Sequence, residues 1–160
     1  MRSTLQIVSG GQTGADRAAL DFARANGLRV GGWVPKGRLA EDGPIPEDYL
    51  GLLEADSADP AVRTALNVRD SDATLIVSHG PLAAGSLLTL QQATRAGKPV
   101  LHLDLDQVST ASAAEHLRRW LAATRPRILN VAGPRASEDA RIASATEAVL
   151  QAALRGALNR

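Results

Sequence analysis

Residues 9–16 read SGGQTGAD and join a short apolar run to a segment with helical spacing. Leu5, Ile7 and Val8 come directly before this stretch and indicate a buried strand. Small and apolar residues after it recur at the i, i+3, i+4, i+7 spacing of one helix face, at Ala15, Ala18, Ala19 and Phe22. The sequence therefore predicts a strand that turns into a helix through a glycine-rich loop, which is the basic unit of an α/β fold.

The glycines of this loop, Gly10, Gly11 and Gly14, suggest a chemistry as well as a turn. Backbone N–H groups at the start of a helix are unpaired and lie at the positive end of its dipole. An anion can approach them closely where no Cβ is present. The pattern predicts a site for a phosphate or another oxyanion. It is neither a Walker loop nor G-x-G-x-x-G, so a purely structural tight turn is an equal alternative from the loop alone.

Composition narrows the classes of function. A chain of 160 residues predicts one ligand-binding domain over residues 1–160. The formal net charge of +1 and an aromatic content of 2% argue against a nucleic-acid partner. Cysteine is absent, which excludes disulfides, thiolate metal sites and cysteine nucleophiles, and the three histidines show no metal-ligand spacing. No signal peptide or membrane span is visible, so we expect a cytoplasmic protein without a membrane partner.

Five apolar runs predict strands at residues 5–8, 28–33, 73–77, 100–103 and 127–131. Helical patterns alternate with them, and the last helix is predicted to begin near Ser137. Ser112 and Glu115 predict a capping box for the helix before it. This alternation predicts an α/β fold with a mainly parallel, five-stranded sheet. Right-handed crossovers favour the strand order 2-1-3-4-5, which would make the first and third strands neighbours.

Residues 35–49, PKGRLAEDGPIPEDY, interrupt the alternation. A connection of this length inside a compact domain is usually functional or disordered. Trp33 and Tyr49 flank the segment and could hold it against the body of the protein. We therefore expect an ordered, irregular loop.

Ligands of parallel α/β sheets bind at the carboxyl ends of the strands. A second glycine-bearing loop, SHGPLAAGS at residues 78–86, follows the third predicted strand and would face the first loop across one crevice. Lys36, Arg38 and Arg135 follow other strands and could contact an anion, although solvated surface charge explains them equally well. His79 could donate a hydrogen bond to an oxyanion, or could pack at the end of its strand.

Four stretches carry a resemblance to a known family: SGGQTGADRAALDFA, GGWVPKGRLAEDGPIPEDY, RTALNVRDSDATLIV and LNVAGPRASE. They closely resemble the molybdenum carrier proteins, also called molybdenum cofactor carrier-like proteins. These are distant relatives of the Rossmann-type lysine-decarboxylase-like superfamily, which includes cytokinin-activating phosphoribohydrolases. The resemblance implies a Rossmann-like three-layer α/β/α fold and a homodimer or homotetramer. It also implies that the chain binds molybdenum cofactor (molybdopterin) or oxomolybdate, with molybdoenzymes as partners.

The resemblance also assigns residues by position. It implies an anion cradle, a ligand loop with two basic residues and a second turn, formed respectively by Gly10, Gly11, Gln12, Thr13 and Gly14, by Lys36 and Arg38, and by Gly85, Ser86 and Thr89. Because the pterin cofactor supplies its own dithiolene sulfurs to molybdenum, the absence of cysteine is no objection.

One departure bears on catalysis. The phosphoribohydrolases carry P-G-G-x-G-T-x-x-E, whereas this chain has LAAGSLLTL, with Thr89 at the position of the Glu. A hydroxyl cannot replace a carboxylate as a general base or stabilise an oxocarbenium-like charge, so we expect a non-catalytic binding protein. The alternatives are a nucleotide-binding protein and a nucleoside-phosphate N-glycosidase. Asp16 would be the candidate acid of the glycosidase, although stabilisation by the helix dipole explains an acid there equally well.

Overall fold

A computed structural model describes residues 5–158, with side chains through residue 155. Its centre is a six-stranded parallel sheet, formed by β1 (Gln6–Val8), β2 (Arg29–Val34), β5 (Leu52–Glu54), β6 (Ala73–Ser78), β7 (Val100–Asp104) and β8 (Ile128–Ala132). The strand order is β5-β2-β1-β8-β6-β7. Two further strands, β3 (Leu39–Ala40) and β4 (Gly43–Pro44), pair in an antiparallel hairpin beside the sheet.

Helices cover both faces of the sheet. They are α1 (Ala15–Ala25), α2 (Pro60–Arg69), α3 (Ala84–Arg95), α4 (Thr110–Thr124) and α5 (Ile142–Leu158). Helices α1, α4 and α5 pack together on one face, where their apolar residues bury Leu75, Leu129 and Val131 of the sheet. Helices α2 and α3 contact each other on the opposite face. Among the described residues, no helix is long and apolar enough to cross a membrane.

The Rossmann-like parallel α/β fold predicted from the sequence is confirmed, but the predicted strand order is wrong. The fifth predicted strand, β8, lies between β1 and β6, so the first and third predicted strands are not neighbours. Leu129, Asn130 and Val131 of β8 are at most 3% exposed, whereas most of β7 is only partly buried. The strand that can be buried on both faces takes the centre of the sheet, and β7 takes an edge.

The sheet has six strands, whereas five were predicted; β5 is the strand that was not predicted from the sequence. This strand is three residues long and pairs with β2 at the other edge. The segment at residues 35–49 is ordered, as expected, but it contains the hairpin β3–β4. The three-residue strand β1 was predicted from its buried apolar run, whereas β5 lies at an edge with Leu53 54% exposed and ends in an acidic residue, so it has no such run. Tyr49 is 8% exposed, and its hydroxyl donates a hydrogen bond to Asp21 Oδ1 at 2.6 Å, which fixes one end of the segment.

Two predicted helix starts are wrong. Helix α5 begins at Ile142, because residues 135–141 form turns in which the amides of Glu138 and Asp139 donate to the Arg135 carbonyl. Helix α4 is capped by Ser109, whose Oγ accepts the N–H of Ser112 at 3.1 Å. The expected partner of the capping box, Glu115, forms ion pairs with two arginines further along α4, Arg118 and Arg119.

Candidate functional site

A cavity of about 250 Å³ lies at the carboxyl ends of β1 and β8, between the first turns of α2 and α3. Four parts of the chain line it: the loop after β1 with the start of α1, helix α2, the start of α3, and the end of β8 with the turn that follows. The lining includes Gly10, Gln12, Asp16, Arg63, Thr64, Ala84, Gly85, Ser86, Thr89, Asn130, Arg135 and Glu138. The two glycine-bearing loops therefore meet at one cavity even though β8 separates their strands.

Seven of the residues predicted as ligand contacts line this cavity. They are Gly10, Gln12, Asp16, Gly85, Ser86, Thr89 and Arg135. Thr89 does not direct its hydroxyl to a ligand, because Oγ1 donates a hydrogen bond to the Gly85 carbonyl at 2.9 Å. Ser86 is 5% exposed at the start of α3, and no side chain caps that helix.

The basic residues of the segment at 35–49 lie outside the cavity lining. Lys36 is exposed to solvent. The Arg38 guanidinium donates hydrogen bonds to the carbonyls of Ile45, Pro46 and Tyr49 at 2.8–3.3 Å and so holds the hairpin segment together. The structure therefore gives Arg38 a role in folding this segment.

His79 also lies away from the cavity lining. Its Nδ1 is 2.5 Å from Asp139 Oδ2, and both side chains are about nine-tenths buried, with exposed fractions of 13% and 12%. This pair ties the loop after β6 to the turn that precedes α5. Of the two interpretations of His79 open from the sequence, the structure favours packing at the end of the strand.

Three residues of the SGGQTGAD loop serve the fold. Gly11 packs so closely that a Cβ would lie 2.7 Å from Ile45 Cδ1. Gly14 precedes α1 with φ 82, and a Cβ there would lie 2.4 Å from the Pro134 carbonyl oxygen. The Thr13 hydroxyl bonds to the Glu41 carboxylate and accepts the N–H of Ala136 at 3.1 Å.

The amides of the same loop are not free for an anion. The N–H of Gly11 donates to Ser9 Oγ at 3.2 Å, that of Gln12 to Asp16 Oδ2 at 3.3 Å, and that of Thr13 to Gln12 Oε1 at 3.0 Å. The expectation of unpaired amides in the SGGQTGAD loop is therefore wrong at these three positions. The carboxylate of Asp16 is the anion that the loop already holds.

Asp16 is a buried carboxyl in the wall of the cavity, with 6% of its surface exposed. Burial raises the pKa of Asp16 from its ordinary value of 3.8 to about 6, and the charge of Arg63 and the amides of Gln12 and Gly10 oppose that rise. Burial dominates because desolvation disfavours the charged form. Asp16 therefore gains or loses its proton in a pH range close to neutrality.

Arg63 is the residue that the sequence analysis missed. Its guanidinium lies directly against Gly10, since a Cβ on Gly10 would be 2.5 Å from Arg63 Nε. Nη1 donates to Thr64 Oγ1 at 2.9 Å, whereas the buried Nε has no hydrogen-bond partner among the described residues. No carboxylate of the described residues lies within ion-pair distance of Arg63.

One signal could have revealed Arg63. Helix α2 follows β5, so its first turn lies at the carboxyl edge of the sheet, where ligands bind. Because β5 was not predicted, there was no reason to expect an arginine of that turn at the carboxyl edge of the sheet.

The second arginine of the cavity, Arg135, is already paired. Its Nε lies 3.1 Å from Glu138 Oε1 and 3.9 Å from Glu41 Oε2. The side chain is 47% exposed, so solvent screens these pairs. An anion that approached Arg135 would compete with two carboxylates, whereas Arg63 forms no ion pair with the described residues.

A parallel sheet with helices on both faces and a polar cavity at its carboxyl edge defines a Rossmann-like α/β protein. The family model described as "Circularly permutated YpsA SLOG family" matches residues 7–154, and the chain belongs to that family. It is similar to a solved structure, "Putative molybdenum carrier protein" from Syntrophus aciditrophicus SB, with 50% identity over 96% of each chain and a TM-score of 0.93. No curated protein matches the chain significantly.

Proposed function

We propose that this protein is a non-catalytic carrier that binds molybdenum cofactor or an oxomolybdate anion in the cavity at the carboxyl ends of the strands. The observation that carries the proposal is Arg63, a cavity-lining guanidinium with a buried, unpartnered Nε and no ion pair among the described residues. A buried donor without a partner is costly, and an oxyanion would satisfy it. The name of the similar solved structure supplies the metal.

The volume of the cavity limits how much of a ligand it can enclose. Pockets for organic ligands usually enclose about 300–1,000 Å³, and this cavity encloses about 250 Å³. It has room for a tetrahedral oxyanion or for the phosphate end of a larger cofactor, whose remaining atoms would extend beyond it. Arg63 would bind the oxyanion, while Ser86 provides a hydroxyl group in the same wall. The Thr64 hydroxyl donates to the Pro60 carbonyl at 3.0 Å and so holds the Arg63 guanidinium, which donates to it, in place.

A titration with molybdate tests the proposal. Isothermal calorimetry should show one molybdate bound to the wild type. Arg63→Gln should weaken that binding by about tenfold or more, because it removes a charge-assisted hydrogen bond. Arg95→Gln, at an exposed position in the last turn of α3, is the matched control and should bind like the wild type. Equal binding by all three proteins would rule out Arg63 as the anion site.

A carrier must transfer its cargo to an acceptor protein. We expect the molybdenum-loaded protein to transfer its cargo to an apo-molybdoenzyme, and to form a homodimer or homotetramer. Recovery of the acceptor's activity on mixing measures the transfer, and light scattering measures the mass of the particle. A loaded protein that retains all its molybdenum beside an excess of acceptor would be a store and not a carrier.

Asp16 supports a second candidate function, a nucleoside-phosphate N-glycosidase. A carboxyl with a pKa of about 6 in a cavity wall can donate a proton at neutral pH. It would give its proton to the leaving base as the C–N bond breaks; water then bonds to the sugar carbon, and the proton that this water loses restores the Asp16 carboxyl. Incubation with nucleoside monophosphates and chromatography for free base tests this candidate. Base release that Asp16→Asn abolishes would support it, and no release from any common nucleotide would remove it.

A further inference from the structure

The tip of the hairpin β3–β4 reaches across to two of the loops around the cavity through one carboxylate. Glu41 Oε1 accepts hydrogen bonds from the Thr13 hydroxyl and from the N–H of Ser137, the latter at 3.1 Å. Glu41 Oε2 accepts the Ser137 hydroxyl at 2.5 Å, and Arg135 Nε lies 3.9 Å away. Glu41 is therefore the point at which three separate loops meet.

The groups around this carboxylate are all donors. One main-chain amide and two hydroxyls donate hydrogen bonds to it. The Arg135 guanidinium, whose Nε donates to Glu138, adds a positive charge at ion-pair distance. Such a set of groups also suits phosphate and other oxyanions. The hydrogen bonds from Ser137 and Thr13 lower the pKa of Glu41, so the side chain stays charged. Its neighbour Asp42 is held differently, by two hydrogen bonds from Arg17 at 2.5 and 3.1 Å.

We propose that Thr13, Ser137 and Arg135 form a second oxyanion subsite, the rim subsite, which Glu41 occupies as a tethered substitute for a ligand. Arg135 lines the cavity that also contains Arg63, so the rim subsite adjoins that cavity. The inference rests on the proposed function in one respect: a cargo with two oxyanion groups, such as a phosphate and an oxomolybdate, would use Arg63 and the rim subsite together.

Displacement of Glu41 would break three hydrogen bonds, and an incoming oxyanion would form them again with the same donors. Glu41 stands at the tip of a hairpin whose strands are two residues long, and 21% of its side chain is exposed. The ion pair with Arg135 contributes little, because 47% of the Arg135 side chain is exposed to solvent. The strands β3 and β4 pair with each other and not with the six-stranded sheet. A doubly charged oxyanion gains more than a carboxylate does from the same donors.

The test counts bound oxyanions with tungstate, a tetrahedral anion heavy enough to locate in crystals. Wild type should bind one tungstate, at Arg63, and Glu41→Ala should bind two. Glu47→Ala removes one negative charge from an exposed position in the same segment and should still bind one. The second site of Glu41→Ala should bind at least about tenfold more tightly than any second site of the wild type.

Two double variants separate this inference from the proposed function. Arg63→Gln combined with Glu41→Ala should keep one tungstate, at the rim, even if the cavity site is lost. Ser137→Ala combined with Glu41→Ala should lose the rim tungstate and keep the one at Arg63. In crystals of Glu41→Ala, an oxygen of the second tungstate should lie within hydrogen-bond distance of the Ser137 amide nitrogen.

The inference is overturned if folded Glu41→Ala binds a single tungstate with the affinity of the wild type. Glu41 would then be only a clamp between loops. If Glu41→Ala does not fold, as judged by circular dichroism, Glu41→Gln decides. This variant keeps the size of the side chain and loses its charge, so it should bind a second tungstate more tightly than the wild type does, whereas unchanged stoichiometry and affinity would reject the subsite.

Discussion

The SGGQTGAD loop after β1 and residues 83–85, the second turn, where α3 begins, both lie at the cavity, and they differ in how they are stabilised. The first loop is rich in glycine, and its amides donate to its own side chains, including the carboxylate of Asp16. The second turn has no side-chain cap, and Ala84 adopts the left-handed region at φ 47.

This difference shows what a glycine-rich loop does here. In the first loop, Gly10 makes room for the guanidinium of Arg63, and Gly14 makes room for the backbone at Pro134. The loop thus positions groups and satisfies three of its own amides, whereas the unpartnered donor that the described residues place in the cavity wall, Arg63 Nε, belongs to α2. An unpaired buried donor is a better sign of a ligand site than the number of glycines.

The largest expected effect concerns Gly14 in the first loop. Gly14→Ala puts a Cβ 2.4 Å from the Pro134 carbonyl oxygen at φ +82. Left-handed backbone and overpacking should together lower the free energy of unfolding by about 3 kcal/mol or more. Gly27→Ala has a similar φ of +69 with nothing within 4 Å, so it should cost only about 1 kcal/mol. Urea unfolding measures both, and equal losses would mean that the contact with Pro134 is unimportant.

The next effect is the pH dependence that Asp16 gives the fold. Its pKa is about 6 in the folded state against 3.8 ordinarily, so the folded state binds more protons between these values. Stability should therefore be greatest below pH 4 as far as this group is concerned. It should fall by about 3 kcal/mol as the pH rises to 6 and above.

Urea unfolding between pH 4 and 7 compares the wild type with Asp16→Asn, which cannot ionise. The variant should lose most of the decline with pH, while Asp56→Asn, at an exposed position, should keep it. If the free energy of unfolding of Asp16→Asn declines with pH as steeply as that of the wild type, another group causes the decline, and ionisation of Asp16 does not affect the stability of the fold.

A third effect compares the two loops directly through ligand binding. Gly10→Ala places a Cβ 2.5 Å from Arg63 Nε, and the flexible arginine side chain should move. The fold should survive, and the affinity for molybdate should fall about tenfold, because a small misplacement of a binding group is costly.

Gly85→Ala is the matched control in the second turn, where a Cβ meets nothing within 4 Å. Calorimetry should show molybdate affinity within about twofold of the wild type. The opposite pattern, with loss only in Gly85→Ala, would move the anion from Arg63 to the start of α3.

The smallest effect concerns the strained second turn, where α3 begins. Ala84→Gly removes the cost of a left-handed alanine, partly offset by the greater freedom of glycine in the unfolded chain. We expect a gain of about 0.5 kcal/mol in thermal unfolding. Ala83→Gly, at φ −144, relieves no strain and should destabilise instead. A loss in both variants would show that φ 47 at Ala84 carries no strain.

The sequence predicted the elements of this fold better than their arrangement. The apolar runs identified five of the six sheet strands, and the parallel α/β class follows from their alternation with helices. The order was wrong because local patterns do not encode which strands are neighbours. Neither β5 nor the hairpin β3–β4 contains a buried apolar run.

The candidate site was predicted to a similar extent. Both glycine-bearing loops line the cavity, as does Arg135. Arg38 binds carbonyls of its own segment, and His79 pairs with Asp139. These partners could not be predicted, because they depend on which groups the fold places next to each side chain. Arg63 was missed, since an arginine in the first turn of a helix carries no motif.

The sequence alone determined the class of fold and the turn of β1 into α1, because strand and helix periods and glycine spacing are local properties of the chain. Only the tertiary structure decided that β8 stands between β1 and β6, that Glu41 accepts the hydrogen bonds at the rim, and that Arg63 forms no ion pair within the described part of the chain. Each of these depends on which distant residues are brought within hydrogen-bond distance, and packing settles that for the whole chain at once.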